Sequence, residues 1–225
     1  MTEALTHNPV DDTRKEYSFV LKFFSQLFSV VFHPLFIPTY VVVFLLNFHP
    51  SYFSGFGYGS KLMLLLTTIL NTAFFPAFSV LIMKGLGFIK SVFLPVQQDR
   101  IGPYLAAMIF YFWAARVFFK FEPQLSPVLP SFMTGVFLTT VAALILNIFF
   151  KISMHAIGCG GLIGIFIVIM NSNSMLMTWP LAAALLVSGL VCTARFIISD
   201  HSPKEIYVGL FVGLACQIIA AFVIL

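Results

Sequence analysis

Stretches of apolar side chains long enough to cross a lipid bilayer follow one another along almost the whole chain. No other feature constrains the fold as tightly. Of the 225 residues, 60% are apolar and only 9% are charged, against roughly 25% charged in an ordinary soluble domain. Too few polar side chains exist to cover a water-soluble surface, and the same shortage excludes a disordered chain. A span takes about 20 apolar residues, and in lipid the helix satisfies its own backbone hydrogen bonds. The expected fold is therefore an all-α polytopic transmembrane helical bundle with six or seven spans. The 28 Phe residues suit a lipid-facing surface.

Residues 17–27 look amphipathic, suited to the membrane surface. Spans are expected over residues 28–48, 62–83, 104–119, 131–150, 162–170, 178–194 and 206–225, the first bent at Pro34 and Pro38. Residues 1–16 are polar and read as a flexible tail without the apolar run and cleavage site of a signal peptide. Residues 17–225 read as one transmembrane domain. Cys159, Cys192 and Cys216 fit no zinc spacing and are expected to be free buried thiols.

The chemistry lies in three polar gaps, residues 84–103, 151–161 and 195–205. Two spans separate each gap from the next, so all three open on one face of the membrane. Span counting thus gathers Arg100, Lys151, His155, Arg195, Asp200, His201 and Glu205 at one end of the bundle. The cations also favour that face, which under the positive-inside rule points toward the cytoplasm. Proposed ligands weaken such a count, so the side stays open. The expected location is a bacterial cytoplasmic (inner) membrane. No Lys/Arg run or nucleic-acid motif accompanies the formal charge of +4.

Charged groups beside lipid are costly and mark functional sites. Arginine and lysine bind oxyanions, arginine in a fork that matches phosphate. Two histidines offer a nucleophile and a proton donor, and a carboxylate can fix an imidazole tautomer. Together these parts fit phosphoryl transfer without a metal or cofactor. The third gap is the most specific: Arg195, five residues, His201, three residues, Glu205. Ser202, Pro203 and Glu205 read as N-cap, first helical residue and capping-box partner. His201 would then stand just ahead of a helix N-terminus, where an anion is favoured.

Arg195-x5-His201-x3-Glu205 resembles the last motif of the type 2 phosphatidic acid phosphatase family, membrane-bound, metal-independent lipid phosphatases. That motif reads Ser-Arg-x5-His-x3-Asp; here Ala194 and Glu205 replace the Ser and Asp. The family's Pro-Ser-Gly-His corresponds to Ile152-Ser153-Met154-His155, matching at Ser153 and His155. Its first motif, Lys-x6-Arg-Pro, is not matched. Arg100 is followed by Ile101, Gly102 and Pro103, and Phe93 stands seven residues before it. The resemblance implies a phosphatase-like domain acting on a lipid phosphate or pyrophosphate. It implies that His201 attacks phosphorus, Glu205 orients it, His155 protonates the leaving oxygen, and Arg195 and Ser153 hold the phosphate. Arg100 and Lys151 are added as phosphate ligands on chemistry and position, with Lys90 and Lys204 as weaker candidates.

His33 and His49 read as packing or interfacial residues, and Asp99 and Asp200 as loop residues or partners of Arg100 and Arg195. Gly158, Gly160, Gly161, Gly209 and Gly213 are expected to permit close helix packing. The alternative function is a non-catalytic membrane protein that binds a phosphorylated lipid or a partner. A transporter is weaker, because no charge falls in the middle of an expected span.

Overall fold

Two prolines and one glycine-rich interface decide how the apolar segments divide and pack. The computed structural model describes residues 17–172, 177–198 and 201–225, and helices dominate them, with no strand among the described residues. The expected tail of residues 1–16 lies outside the described residues, as do Asp200 and residues 173 and 174 of the expected 171–174 turn, while Asn171 and Ser172 belong to a helix.

The first expected span, residues 28–48, is split. Helix α1 (Phe19–Val31) ends before Pro34, and α2 (Ile37–Phe48) restarts with Pro38 in its first turn. Proline inside a helix removes a donor and clashes with the carbonyl four residues back, but at a helix start the missing N–H costs nothing. Each piece is about 20 Å long at 1.5 Å per residue, well short of a 30 Å hydrocarbon core. The amphipathic stretch also runs past residue 27: α1 buries Ser25 and Ser29 while Phe19, Phe23 and Phe24 face outward, and it packs along α8.

Six helices are long and apolar enough to cross a membrane: Tyr58–Gly85, Gln98–Phe119, Val128–Phe149, Met154–Ser172, Thr178–Ile198 and Pro203–Ile224. The chain is an integral membrane protein built as an all-α bundle. The first of these joins α3 (Tyr58–Ile69), a wide π turn (Leu70–Phe74) and α4 (Phe75–Gly85). Pro76 cannot donate to the carbonyl of Thr72. The Tyr111 hydroxyl of α5 (Ile101–Phe119) donates to it instead, at 3.3 Å. A neighbouring helix thus repairs a proline gap inside the membrane.

Helix α6 (Val128–Phe149) packs between α5 and α9. Helix α7 (Met154–Ser172) is the most buried, seated against α8 (Thr178–Ile198) and above all α9 (Pro203–Ile224). The α7–α9 crossing has no room for a side chain at two points. A Cβ on Gly160 would overlap the Leu210 carbonyl, and one on Gly213 the Ile157 carbonyl. The expected small-residue packing is present there.

The linkers α4–α5, α6–α7 and α8–α9 fall at one end of the bundle, as span parity requires, and α5–α6 and α7–α8 at the other. The largest apolar core, which includes Val41, Leu45, Phe118, Leu129 and Ile169, fills much of the interior. Polar contacts tie the α4–α5 linker to the end of α6 and the α6–α7 linker, through Arg100 to the Leu94 and Ile152 carbonyls and Gln97 to Asn147, and the Ser153 amide ties the α6–α7 linker to the Glu205 carbonyl.

Candidate functional site

The start of α9 forms as its sequence requires. Ser202 is the N-cap: its hydroxyl accepts from the Glu205 amide and its own amide donates to the Glu205 carboxylate, both at 3.3 Å. The same carboxylate oxygen, Oε2, lies 2.7 Å from Nδ1 of His201. Nδ1 therefore carries the proton, and Nε2 keeps its lone pair. The helix start that anchors Glu205 also sets the imidazole tautomer.

His201 is 8% exposed. Burial pushes its pKa down, the Glu205 hydrogen bond pushes it up, and the charges of Arg100 and Arg195 push it down again. The net position is below the ordinary 6.5. At neutral pH the ring is uncharged.

Arg100 ends a short 3-10 turn (Gln98–Arg100) leading into α5 and is 3% exposed. Its Nε donates to the Leu94 carbonyl at 3.0 Å and a terminal nitrogen donates to the Ile152 carbonyl at 2.8 Å. It clamps the α4–α5 linker to the α6–α7 linker. Leu94 is held with φ of 50°, in the left-handed region, which costs about 1–3 kcal/mol for a residue with a side chain. That strain turns its carbonyl onto Arg100.

Arg195 lies in the last turn of α8, not in a loop, because α8 continues to Ile198. His155 lies in the first turn of α7, which begins at Met154 rather than near residue 162; packing on α9 makes its run of glycines affordable in a helix. His155 Nε2 donates to the Ser29 carbonyl of α1 at 3.0 Å. His33, in the α1–α2 turn, meets the His155 ring edge to face, centroids 5.1 Å apart.

One cavity of about 930 Å³ receives these groups: His33, Arg100, Tyr104, His155, Arg195 and His201 line it together. Its remaining wall is mostly apolar, with Val80, Phe132, Val136 and Ala143, and Gln217 of α9 also lines it. A cationic, imidazole-bearing region thus continues into an intramembrane chamber. Such a chamber suits an anionic head on a hydrocarbon tail.

The other expected site residues do not line the cavity. Ser153 is fully buried; its hydroxyl accepts from the Ala156 amide at 3.5 Å, capping α7, and its amide donates to the Glu205 carbonyl at 3.4 Å. Lys151 is half-buried in the α6–α7 linker and away from the cavity wall. Lys204 sits 5.7 Å above the Phe150 ring. Asp99 does not ion-pair with Arg100; it accepts from the Lys90 amide at 3.1 Å, while the Lys84 ammonium donates to the Lys90 carbonyl. Glu205 acts from behind His201.

His33 is the residue that sequence reasoning passed over. Its signal was a polar ring at a proline break inside an apolar run, since broken helices at membrane depth are tolerated where they line a cavity. Among the described residues no group of three His, Cys, Asp or Glu side chains could hold a metal ion. The three cysteines are free, Cys159 and Cys216 buried and Cys192 half-buried. Comparison with known protein families, curated proteins and solved structures finds no match to this chain.

Proposed function

We propose that the protein hydrolyses a lipid phosphate or diphosphate, without a metal, through a phosphohistidine on His201. The observation that carries this reading is the 2.7 Å His201–Glu205 pair in a cavity shared with two guanidinium groups. A neutral imidazole whose Nδ1–H is held by a carboxylate has its Nε2 lone pair ready for phosphorus.

In the proposed sequence, Nε2 of His201 forms the P–N bond as the P–O bond to the lipid breaks. Arg100 and Arg195 neutralise the equatorial phosphoryl oxygens. The leaving oxygen takes a proton from His155. Because Nε2 of His155 is held by Ser29, the transferred proton is the one on Nδ1 of an imidazolium that the negative charge of the bound phosphate would stabilise. Neutral His155 then accepts a proton from the water that breaks the P–N bond. Phosphate leaves and His201 is restored. The lipid tail occupies the apolar part of the chamber. Ser153 and Lys151 have no direct part in this scheme.

Lys84, Lys90, Lys151 and Lys204 accompany the site's face, against Lys61, Arg116 and Lys120 on the other. That asymmetry is the pattern of a helical protein of a cytoplasmic membrane, which is our proposed location.

A second reading, phosphate-lipid binding without turnover, is favoured by Met154 beside the cavity where a glycine would let backbone approach an anion, and by Ser153 being consumed as a cap. Phosphate release from a panel of lipid phosphates in EDTA separates the two. Turnover that falls roughly a thousandfold or more in His201→Ala supports hydrolysis. Binding with no release supports the second reading, and full activity in His201→Ala removes the proposed nucleophile.

A further inference from the structure

Beyond the residues that resemble a motif, the cavity holds a third imidazole, on a different part of the chain. His33 follows α1, and its conformation is set by its own turn. The Leu35 amide donates to His33 Nδ1 at 3.3 Å, and the Phe36 amide donates to the His33 carbonyl at 2.9 Å. With Nδ1 acting as acceptor, the neutral ring carries its proton on Nε2. His33 therefore has the opposite tautomer to His201, whose Nδ1–H is spent on Glu205. One ring offers the cavity a lone pair and the other offers an N–H.

The turn is seated by shape. Gly158 of α7 faces Pro34 and Ile37: a Cβ there would come within 2.8 Å of Ile37 Cδ1 and 3.1 Å of Pro34 Cβ. A glycine on the central helix thus lets the α1–α2 turn approach closely enough for His33 to reach the ring of His155. His33 is half-buried, and its ring lines the cavity shared with Arg100 and Arg195, where its N–H has room for an acceptor. An oxyanion supplies one.

We infer that His33 is a substrate-positioning residue: its Nε2–H donates to a phosphoryl oxygen of the lipid head, making the α1–α2 turn the third side of the phosphate pocket. This rests on the phosphate-lipid reading above but not on turnover. The Ser29–His155 bond and the His33 N–H together make the pocket incomplete without α1. His33 contributes to holding the head and transfers no proton.

The test is binding of a non-hydrolysable single-chain alkylphosphonate to the full chain in lipid nanodiscs, with the corresponding alkyl alcohol as the uncharged control. His33→Ala should weaken phosphonate binding about tenfold or more and leave alcohol binding unchanged. His33→Gln, which retains an amide N–H near the Nε2 position, should recover most of the loss. Gly158→Leu, which displaces the turn with His33 intact, should mimic His33→Ala. Unchanged phosphonate affinity in His33→Ala overturns the inference while leaving the phosphate-lipid reading standing. Equal losses for phosphonate and alcohol overturn it too, since they mark a general packing role. Should wild type not bind the phosphonate at all, the phosphate-lipid reading falls and this inference with it.

Discussion

Oε2 of Glu205 lies 2.7 Å from Nδ1 of His201 and 3.3 Å from the amide of Ser202. A single carboxylate oxygen therefore closes a capping box and fixes an imidazole tautomer. Local helix chemistry and the proposed nucleophile are linked through one atom, so a conservative change there separates structure from activity.

Glu205→Gln keeps a hydrogen-bonding capping-box partner but removes the charge that stabilises the imidazolium. Turnover should fall by roughly a hundredfold or more, while the thermal midpoint changes little, since capping differences are about 1 kcal/mol. Glu205→Ala should lose both. Lipid-phosphate turnover and thermal unfolding in detergent, measured side by side, check this. Equal turnover in wild type and Glu205→Gln would remove the orienting role.

The pH profile follows from the lowered pKa of His201, caused first by burial and opposed by the Glu205 bond. Above pH 6.5 the ring is neutral in folded and unfolded chains alike. Below it, the unfolded chain takes the proton first, so stability decreases as pH falls. The acid limb of kcat/KM should lie below 6.5 and move lower still in Glu205→Gln, which loses a partner of the charged form. A limb at or above 6.5 would contradict the assignment to His201.

Arg100 satisfies the Leu94 and Ile152 carbonyls from a site only 3% exposed. Arg100→Ala leaves both acceptors buried and should cost about 2–4 kcal/mol, with activity lost as the linkers separate. Arg100→Lys cannot serve two carbonyls in that geometry and should recover only part of the stability. Thermal unfolding of the three proteins, read with turnover, measures the effect.

Glycines on two helices should behave oppositely. Gly213→Ala drives a methyl group into the Ile157 carbonyl and should destabilise by about 1–3 kcal/mol or more. Gly189→Ala on α8 meets nothing within 4 Å and should be neutral or slightly stabilising through helix propensity. Thermal unfolding of both variants decides whether the α7–α9 crossing is as close as described.

Much of this architecture was legible because local rules and membrane physics agreed. The capping box of Ser202 and Glu205 depends only on neighbours in sequence. The shared face of Arg100, His155, Arg195 and His201 depends only on an even number of spans between them. What remained hidden depends on distant packing. His155 belongs to α7 because Gly160 and Gly213 let two helices meet, and no local signal says that a glycine run is packed rather than looped. Ser153 is committed to capping α7, and Lys151 does not line the cavity, which linker sequence alone does not encode. His33 enters the pocket because α1 breaks and its turn settles against Gly158, a contact between residues more than a hundred positions apart.

The central claim is a covalent bond between phosphorus and Nε2 of His201, and its direct measurement is rapid-quench trapping with a phosphorus-labelled lipid phosphate. The account predicts label that stays on the chain in base, is lost in acid, maps to the peptide containing His201 and is absent from His201→Ala. Steady turnover of the same lipid with no acid-labile label on that peptide would contradict it.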